Sequence, residues 1–492
     1  MQRLSSTTLG RLPVSVRRPR YARADVRNGV VHLGIGAFHR AHQAAVFDAA
    51  LGAGDLRWGI LGVSLRSPGV RDQLVPQDGL YTMLVRDGAG EQAQIIGAVR
   101  DVLVAPEDPA RVIAALAHPD THIVTLTVTE KGYCIDAATA ALDRGNADVA
   151  QDLADLSAPR TAPGFLVAGL AARHAAGLPP FTALSCDNLP HNGRLLRAAV
   201  IEMARAHDPA LADWIAQHGA FPQSMVDRIV PATDPRDIAT LAETTGLQDQ
   251  GLVKTEPFLQ WVIEDRFCGP RPDFAAFGVQ LTDRVEPWED AKLRLLNGAH
   301  SGIAYLGGLA GIDHVHEFVA RADGRAFVEA LWDESAATLT PPPGLDVAAY
   351  RGQLMARFTN PALAHRTRQI AMDGSQKLPQ RLLAPIAIRR ARGLSVDALA
   401  LGVAAWMLWQ RGLDEAGTPF TVDDPLAAVT AARLDGVTDP AAQVAALMAI
   451  EAIFPRDLAE DDALRATLTG QVTRLARDGA LATLRALGEA AV

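Results

Sequence analysis

From about residue 29 to 280, short apolar runs alternate with stretches whose apolar positions recur every three or four residues. Val30-Val31-His32-Leu33 runs into Gly34-Ile35-Gly36 and predicts a strand that turns into an Ala-rich helix from about His39 to Leu51. The runs Trp58 to Val63, Leu80 to Val85, His122 to Val128 and Phe181 to Cys186 predict further strands. Strands separated by helical segments imply a mainly parallel sheet covered on both faces. Beyond about 285 the strand pattern fades, and Leu399 to Trp409 and Leu464 to Leu487 carry helical periods. With 492 residues, too many for one core, the pattern predicts two domains. An α/β domain with an N-terminal arm spans 1–284, and a mainly α-helical domain spans 285–492.

Composition narrows the class. Hydrophobic residues make 49% and charged residues 21% of the chain, a globular balance. No apolar run of about 18 residues occurs, so no membrane span is expected. A net charge of -9 disfavours a nucleic-acid partner. The first residues are rich in Arg and Ser but lack an apolar core, and Pro13 and Pro19 interrupt any amphipathic helix; an ordered arm is expected. Cys134, Cys186 and Cys268 are isolated, which excludes a disulfide framework and fits a reducing cytoplasm. His39-x-x-His42 and His314-x-His316 have no acidic or Cys partner at metal-binding spacing, so no metal is expected. Four lysines stand against 43 arginines. Lysine differs from arginine in being able to lose its proton when buried, which draws attention to Lys292 and Lys377; chance survival suffices for Lys254.

Gly34-x-Gly36, between a strand and a helix, is the physically essential half of a dinucleotide fingerprint. The first Gly allows the tight turn and the second lets the backbone approach a pyrophosphate. His39 stands where the third Gly would be. A tight strand-to-helix turn alone explains the same residues. Past the second strand, Val63-Ser64-Leu65-Arg66-Ser67-Pro68-Gly69 offers no acid for a ribose 2'-hydroxyl, while Arg66 and Ser67 accommodate a 2'-phosphate. The choice between NAD and NADP stays open here, with an ordinary exposed loop as the simpler reading of Arg66.

The densest chemistry lies in Glu286 to His300. Pro287 suits a helix start with Glu289 and Asp290 in its first turn. At about 100° per residue, with Lys292 at 0°, Glu289 falls near 60°, His300 near 80° and Asn297 near 140°. These polar groups share one broad face with Leu293 and Leu296. A desolvated Lys accepts an alcohol proton, Asn donates to a developing oxyanion, and His orients a hydroxyl. An interdomain helix with capping acids and a satisfied His is the alternative. Asn188 follows a predicted strand, at the end where α/β sites lie. Asp227 adds a carboxylate, although an Asp227–Arg228 surface pair is simpler. Lys377 and Arg381 flank the turn after Asp373-Gly374-Ser375, as a ligand site or as a helix cap.

Together these motifs resemble the mannitol dehydrogenase family, the long-chain polyol dehydrogenases that include fructuronate and tagaturonate reductases. The similarity spans nearly the whole chain. It is carried by His32 to Gln43, Thr129 to Tyr133, Ser185 to Asn188, Phe221-Pro222 through Met225 to Arg228, Glu256 to Phe258, Lys292 to His300, and Asp373 to Ser375 with Lys377. The resemblance implies a Rossmann-type N-terminal domain, a mainly helical C-terminal domain and a metal-free active site between them. It implies Lys292 as general base, Asn188 and Asn297 holding the oxyanion, His300 on the substrate and Glu289 on a proton path. Asp227 and Lys377 match positions near the substrate. Gly34, Gly36, Phe38, His39, Arg40 and Arg66 are the expected cofactor contacts, for NAD or NADP with NAD slightly favoured.

Two departures bear on the substrate. Mannitol 2-dehydrogenases of the family place Arg eight positions before the motif Lys, where this chain has Gln369 beside Arg368, and Arg381 adds a cation after it. Both favour a carboxylate-bearing substrate. The expected reaction is reversible hydride transfer between NAD(P) and a linear polyol or aldonate, of the D-mannitol/D-fructose or D-mannonate/D-fructuronate type. The alternative is a non-catalytic sugar- or nucleotide-binding sensor that retains the fold. The expected partner is a small sugar alcohol or sugar acid, and a monomer suffices for an enclosed site.

Overall fold

The computed structural model describes residues 1–492 apart from residues 89, 137, 138, 140, 491 and 492 and the side chains of 488–490. Its chain forms two compact units, Met1–Val285 and Glu286–Val492.

The first unit is built on a five-stranded parallel sheet of β1 (Val30–Leu33), β2 (Ile60–Ser64), β3 (Val99–Val104), β4 (Ile123–Leu126) and β5 (Thr182–Ser185). The spatial order is β3-β2-β1-β4-β5. The chain therefore steps outward twice from β1, then returns to its other side at β4, which puts the topological switch between β1 and β4. Val30, Ile60, Ile123 and Leu184 face one core, while Val31, Leu33, Val63, Val124 and Leu126 face another. Burial on both faces is why these runs lack alternation. Gln2–Arg3 pairs with Leu247–Gln248, and Leu4, Leu12 and Val16 pack with Leu80, Ile95 and Leu247, so the N-terminal arm is ordered.

Two predicted elements differ. The run Leu80 to Val85 lies outside the main sheet: Tyr81–Asp87 pairs antiparallel with Gly90–Ile96 and parallel with Val253–Thr255. The single helix expected after Gly36 is broken into α1 (Ala37–Ala41) and α2 (Gln43–Gly52) at His42, whose φ is -115° and ψ -88°. The break frees carbonyls that must find donors. Arg40 O accepts from the Tyr81 hydroxyl at 2.7 Å, and Ala41 O accepts from Arg228 Nη1 at 2.5 Å.

The second unit is helical. The segment predicted as one regular helix is α3 (Glu286–Ala291), a π turn over Lys292–Asn297, and the wholly buried α4 (Gly298–Leu309). A second π turn, Pro379–Leu383, joins α5 (Gly374–Leu378) to α6 (Ala384–Ala391). The apolar α7 (Asp397–Trp409) packs on α4. The C-terminal stretch expected as one helix is two, Asp462–Asp478 and Ala480–Ala490, divided at Gly479 with φ of 81°.

Candidate active site

In the first unit, β1 ends at Gly34, whose φ is 93°. A β-carbon there would stand 2.2 Å from Thr127 O, so no other residue fits the turn. Gly36 begins α1, and the nearest atom to a β-carbon at Gly36 is 3.8 Å away, which leaves its backbone open to a ligand. Thr127 Oγ1 donates to Gly34 O at 2.8 Å and ties the end of β4 to this turn. An open glycine backbone at the switch point of a parallel sheet fits a dinucleotide pyrophosphate. Phe38 is half-buried and Arg66 is exposed just past β2.

The other two expected cofactor contacts, His39 and Arg40, follow Phe38 in α1. Both are buried inside the unit. The His39 ring stacks on His32 at 3.3 Å and 11°, filling the helix–strand space that the third Gly of the fingerprint normally closes. Burial pushes the His32 pKa down to about 3 and the His39 pKa well below 6.5, with each other's proximity adding to the latter. Arg40 donates to Gly36 O at 3.3 Å and Gly251 O at 2.5 Å. Both residues shape the turn from beneath.

At the end of β5, the Asp187 carboxylate accepts from the amides of Val128 at 3.1 Å and Thr129 at 2.9 Å and from the Tyr133 hydroxyl at 2.8 Å. Burial raises its pKa while these bonds oppose the rise. Asn192 bonds Asp187 O at 3.1 Å and Ser224 O at 2.7 Å, fixing this loop to the strand Ser224–Asp227. Asn188 is exposed and Asp227 is buried. Arg228 is no surface partner of Asp227: it is buried and donates to Glu256 O at 2.9 Å as well as to Ala41 O. Asp187, Asn192 and Glu256 were given no role from sequence, although two of them lie in motifs quoted above.

In the second unit, the π turn changes the geometry of the Lys292 helix. An i→i+5 turn winds more loosely than an α-helix, so Lys292 and Asn297 lie nearer one face than the about 140° separation a regular α-helix would give them. Lys292 and His300 are buried, and Asn297 and Glu289 are half-buried. Asn297 Oδ1 and His300 Nε2 are shielded from solvent and have no hydrogen-bond partner. The outer side is anchored: Arg294 bonds Thr338 O at 2.8 Å and Asp290 at 3.0 Å, and Trp332 Nε1 donates to Leu295 O at 2.8 Å.

The two π turns pack together, and Arg381 on the second donates to Ser301 Oγ on α4 at 3.2 Å. Burial lowers the Arg381 pKa to about 10, which leaves it charged at neutral pH. Lys377 caps its own turn, donating to Met372 O at 2.5 Å, with the Asp373 carboxylate 3.6 Å away. Its pKa is lowered, first by burial and then by Arg381. Arg368 is exposed, 5.2 Å over the Phe420 ring and 3.9 Å from Asp414. Arg357 and His365, which carried no sequence signal, lie close enough to perturb His300. Lys254 forms an ion pair with Asp237. Among the described residues, no group of three or more His, Cys, Asp or Glu is placed to hold a metal ion, and no helix is long and apolar enough to cross a membrane.

Comparison with known proteins matches the mannitol dehydrogenase Rossmann domain over residues 28–276 and the mannitol dehydrogenase C-terminal domain over 284–476. An uncharacterized oxidoreductase of Escherichia coli, YeiQ, is 45% identical over 94% of this chain and 94% of its own. The D-mannonate oxidoreductase of the same organism is 41% identical over 98% of this chain and 100% of its own. Among solved structures, Pseudomonas fluorescens mannitol 2-dehydrogenase in ternary complex with NAD and D-mannitol superposes with a TM-score of 0.85 at 39% identity, covering 99% of this chain and 100% of that one.

Proposed function

Because this chain belongs to the mannitol dehydrogenase family, we propose that it is an NAD-dependent oxidoreductase that interconverts a secondary alcohol and a ketone on a linear polyol or aldonate. The substrates would be of the D-mannitol/D-fructose or D-mannonate/D-fructuronate type, D-mannitol and D-mannonate being the compounds named for its relatives. Gly34 and Gly36 would hold the coenzyme pyrophosphate at the start of α1, beside Phe38. Exposed Arg66, without an acid beside it, leaves room for NADP as well. Bound nicotinamide supplies hydride exchange with the alcohol carbon.

In this reading Lys292 takes the hydroxyl proton and returns it in the reverse direction. Asn188 and Asn297 donate to the oxygen as charge develops on it. Glu289 passes the proton outward, while His300 and Asp227 bind neighbouring hydroxyls. Lys377 and Arg381 would also bind substrate, Arg381 as the partner of a carboxylate. The observation that carries the reading is the pair of shielded, unpartnered atoms, Asn297 Oδ1 and His300 Nε2, on the helix that also bears buried Lys292. A buried polar atom without a partner is costly, and a polyhydroxylated substrate satisfies both atoms.

Oxidation of NADH and NADPH, followed by absorbance with fructose, fructuronate and tagaturonate in turn, tests the proposal. NADH oxidation by at least one of the three is expected. Turnover with a uronate alone assigns an aldonate dehydrogenase, and turnover with fructose assigns a polyol dehydrogenase. No oxidation of either coenzyme by any of them overturns the proposal.

A further inference from the structure

His300 and His365 meet edge to face, with ring centroids 5.0 Å apart and planes at 82°. Phe358 packs on His300 at 4.7 Å. The segment bearing His365 is stitched to the loop before Val315. Val315 N donates to His365 O at 3.0 Å, Thr367 N to Asp313 O at 2.9 Å, and Thr367 Oγ1 to Ile312 O at 2.8 Å. The ring is thus held by main-chain bonds on both sides rather than on a free loop. His300 Nε2 and His365 Nδ1 are both shielded from solvent and lack a hydrogen-bond partner. Burial is the main reason both rings stay neutral, His300 well below 6.5 and His365 at about 4, and the Arg357 guanidinium lowers both further. A neutral imidazole offers one N–H and one lone pair, the complement of a hydroxyl.

We propose that His365 is a second substrate-binding histidine, whose Nδ1 holds a hydroxyl or carboxylate oxygen next to the one held by His300. Two neighbouring neutral rings, each with a shielded unpartnered nitrogen, suit neighbouring oxygens on one carbon chain. The inference rests on the reading of His300 as facing substrate. It adds a residue whose only sequence context is Ala-Leu-Ala-His-Arg, between two helices.

The test uses His365→Phe, which keeps a packing ring without nitrogens, and His365→Gln, which restores a donor and an acceptor. Calorimetry of mannitol and mannonate binding to the NAD-loaded protein is read beside coenzyme affinity and steady-state KM and kcat. Expected are weaker sugar binding and a higher KM in His365→Phe, by about five- to tenfold. Coenzyme affinity should be unchanged, kcat within a few fold, and binding partly recovered in His365→Gln. Equal sugar binding by wild type and His365→Phe, or no sugar binding by wild type, overturns the inference. Wild-type turnover distinguishes the two claims: an active enzyme with an unaltered His365→Phe leaves the proposed function standing and removes only the role of His365.

Discussion

Gly298 faces the main-chain oxygen of Arg381 so closely that a β-carbon on it would lie 3.0 Å from that oxygen. This is where the two π turns cross, one carrying Lys292 and Asn297 and the other Arg381. Backbone cannot swing aside as a side chain can. Gly298→Ala should therefore push the turns apart, costing about 1–3 kcal/mol of stability. It should also lower kcat more than it weakens coenzyme binding. Denaturant titration and steady-state kinetics check this, and unchanged stability with unchanged kcat would show that the turns tolerate the added methyl.

Arg381 is partly buried, charged at neutral pH, and hydrogen-bonded to the Ser301 hydroxyl, a neutral partner. An anionic substrate would complete its pairing. Arg381→Ala is predicted to raise KM for mannonate at least about tenfold more than for mannitol. Equal effects on the two would reject a carboxylate role.

The His32–His39 stack predicts an acid sensitivity with a definite sign. Both folded pKa values lie below 6.5, so the unfolded chain binds protons more readily. The stabilisation is complete above about pH 6.5 and is lost as pH falls towards the folded values, about 3 for His32. His39→Phe keeps a stacked ring but removes one titrating group. Between about pH 6.5 and 5, where unfolded carboxylates bind few protons, the variant's Tm should fall less steeply than the wild type's. Parallel Tm curves would contradict the assignment.

The residues that could be read in the sequence are those whose chemistry forces local geometry. Gly34 follows a strand with a positive φ that β-carbons forbid, and the apolar runs of β1 and β4 announce strands buried on both faces. The order of motifs was enough to indicate the family. The π turn at Lys292 was not readable, because a turn of five leaves no compositional mark and α-helical periodicity misplaces Asn297. His39 looked like a failed fingerprint position because its partner, His32, is seven residues away on the strand beneath. β3 was hidden by Arg100 and Asp101 in an otherwise apolar strand. His365 and Arg357 come near His300 only through long-range packing, which no local pattern encodes.

Lys292 is the proposed carrier of the proton. Lys292→Ala, assayed for kcat with the substrate that wild type turns over best and for coenzyme affinity by fluorescence, tests that role most directly. A loss in kcat of about a hundred- to ten-thousandfold is expected, with coenzyme affinity preserved. Turnover equal to wild type would contradict it and remove Lys292 from the chemistry.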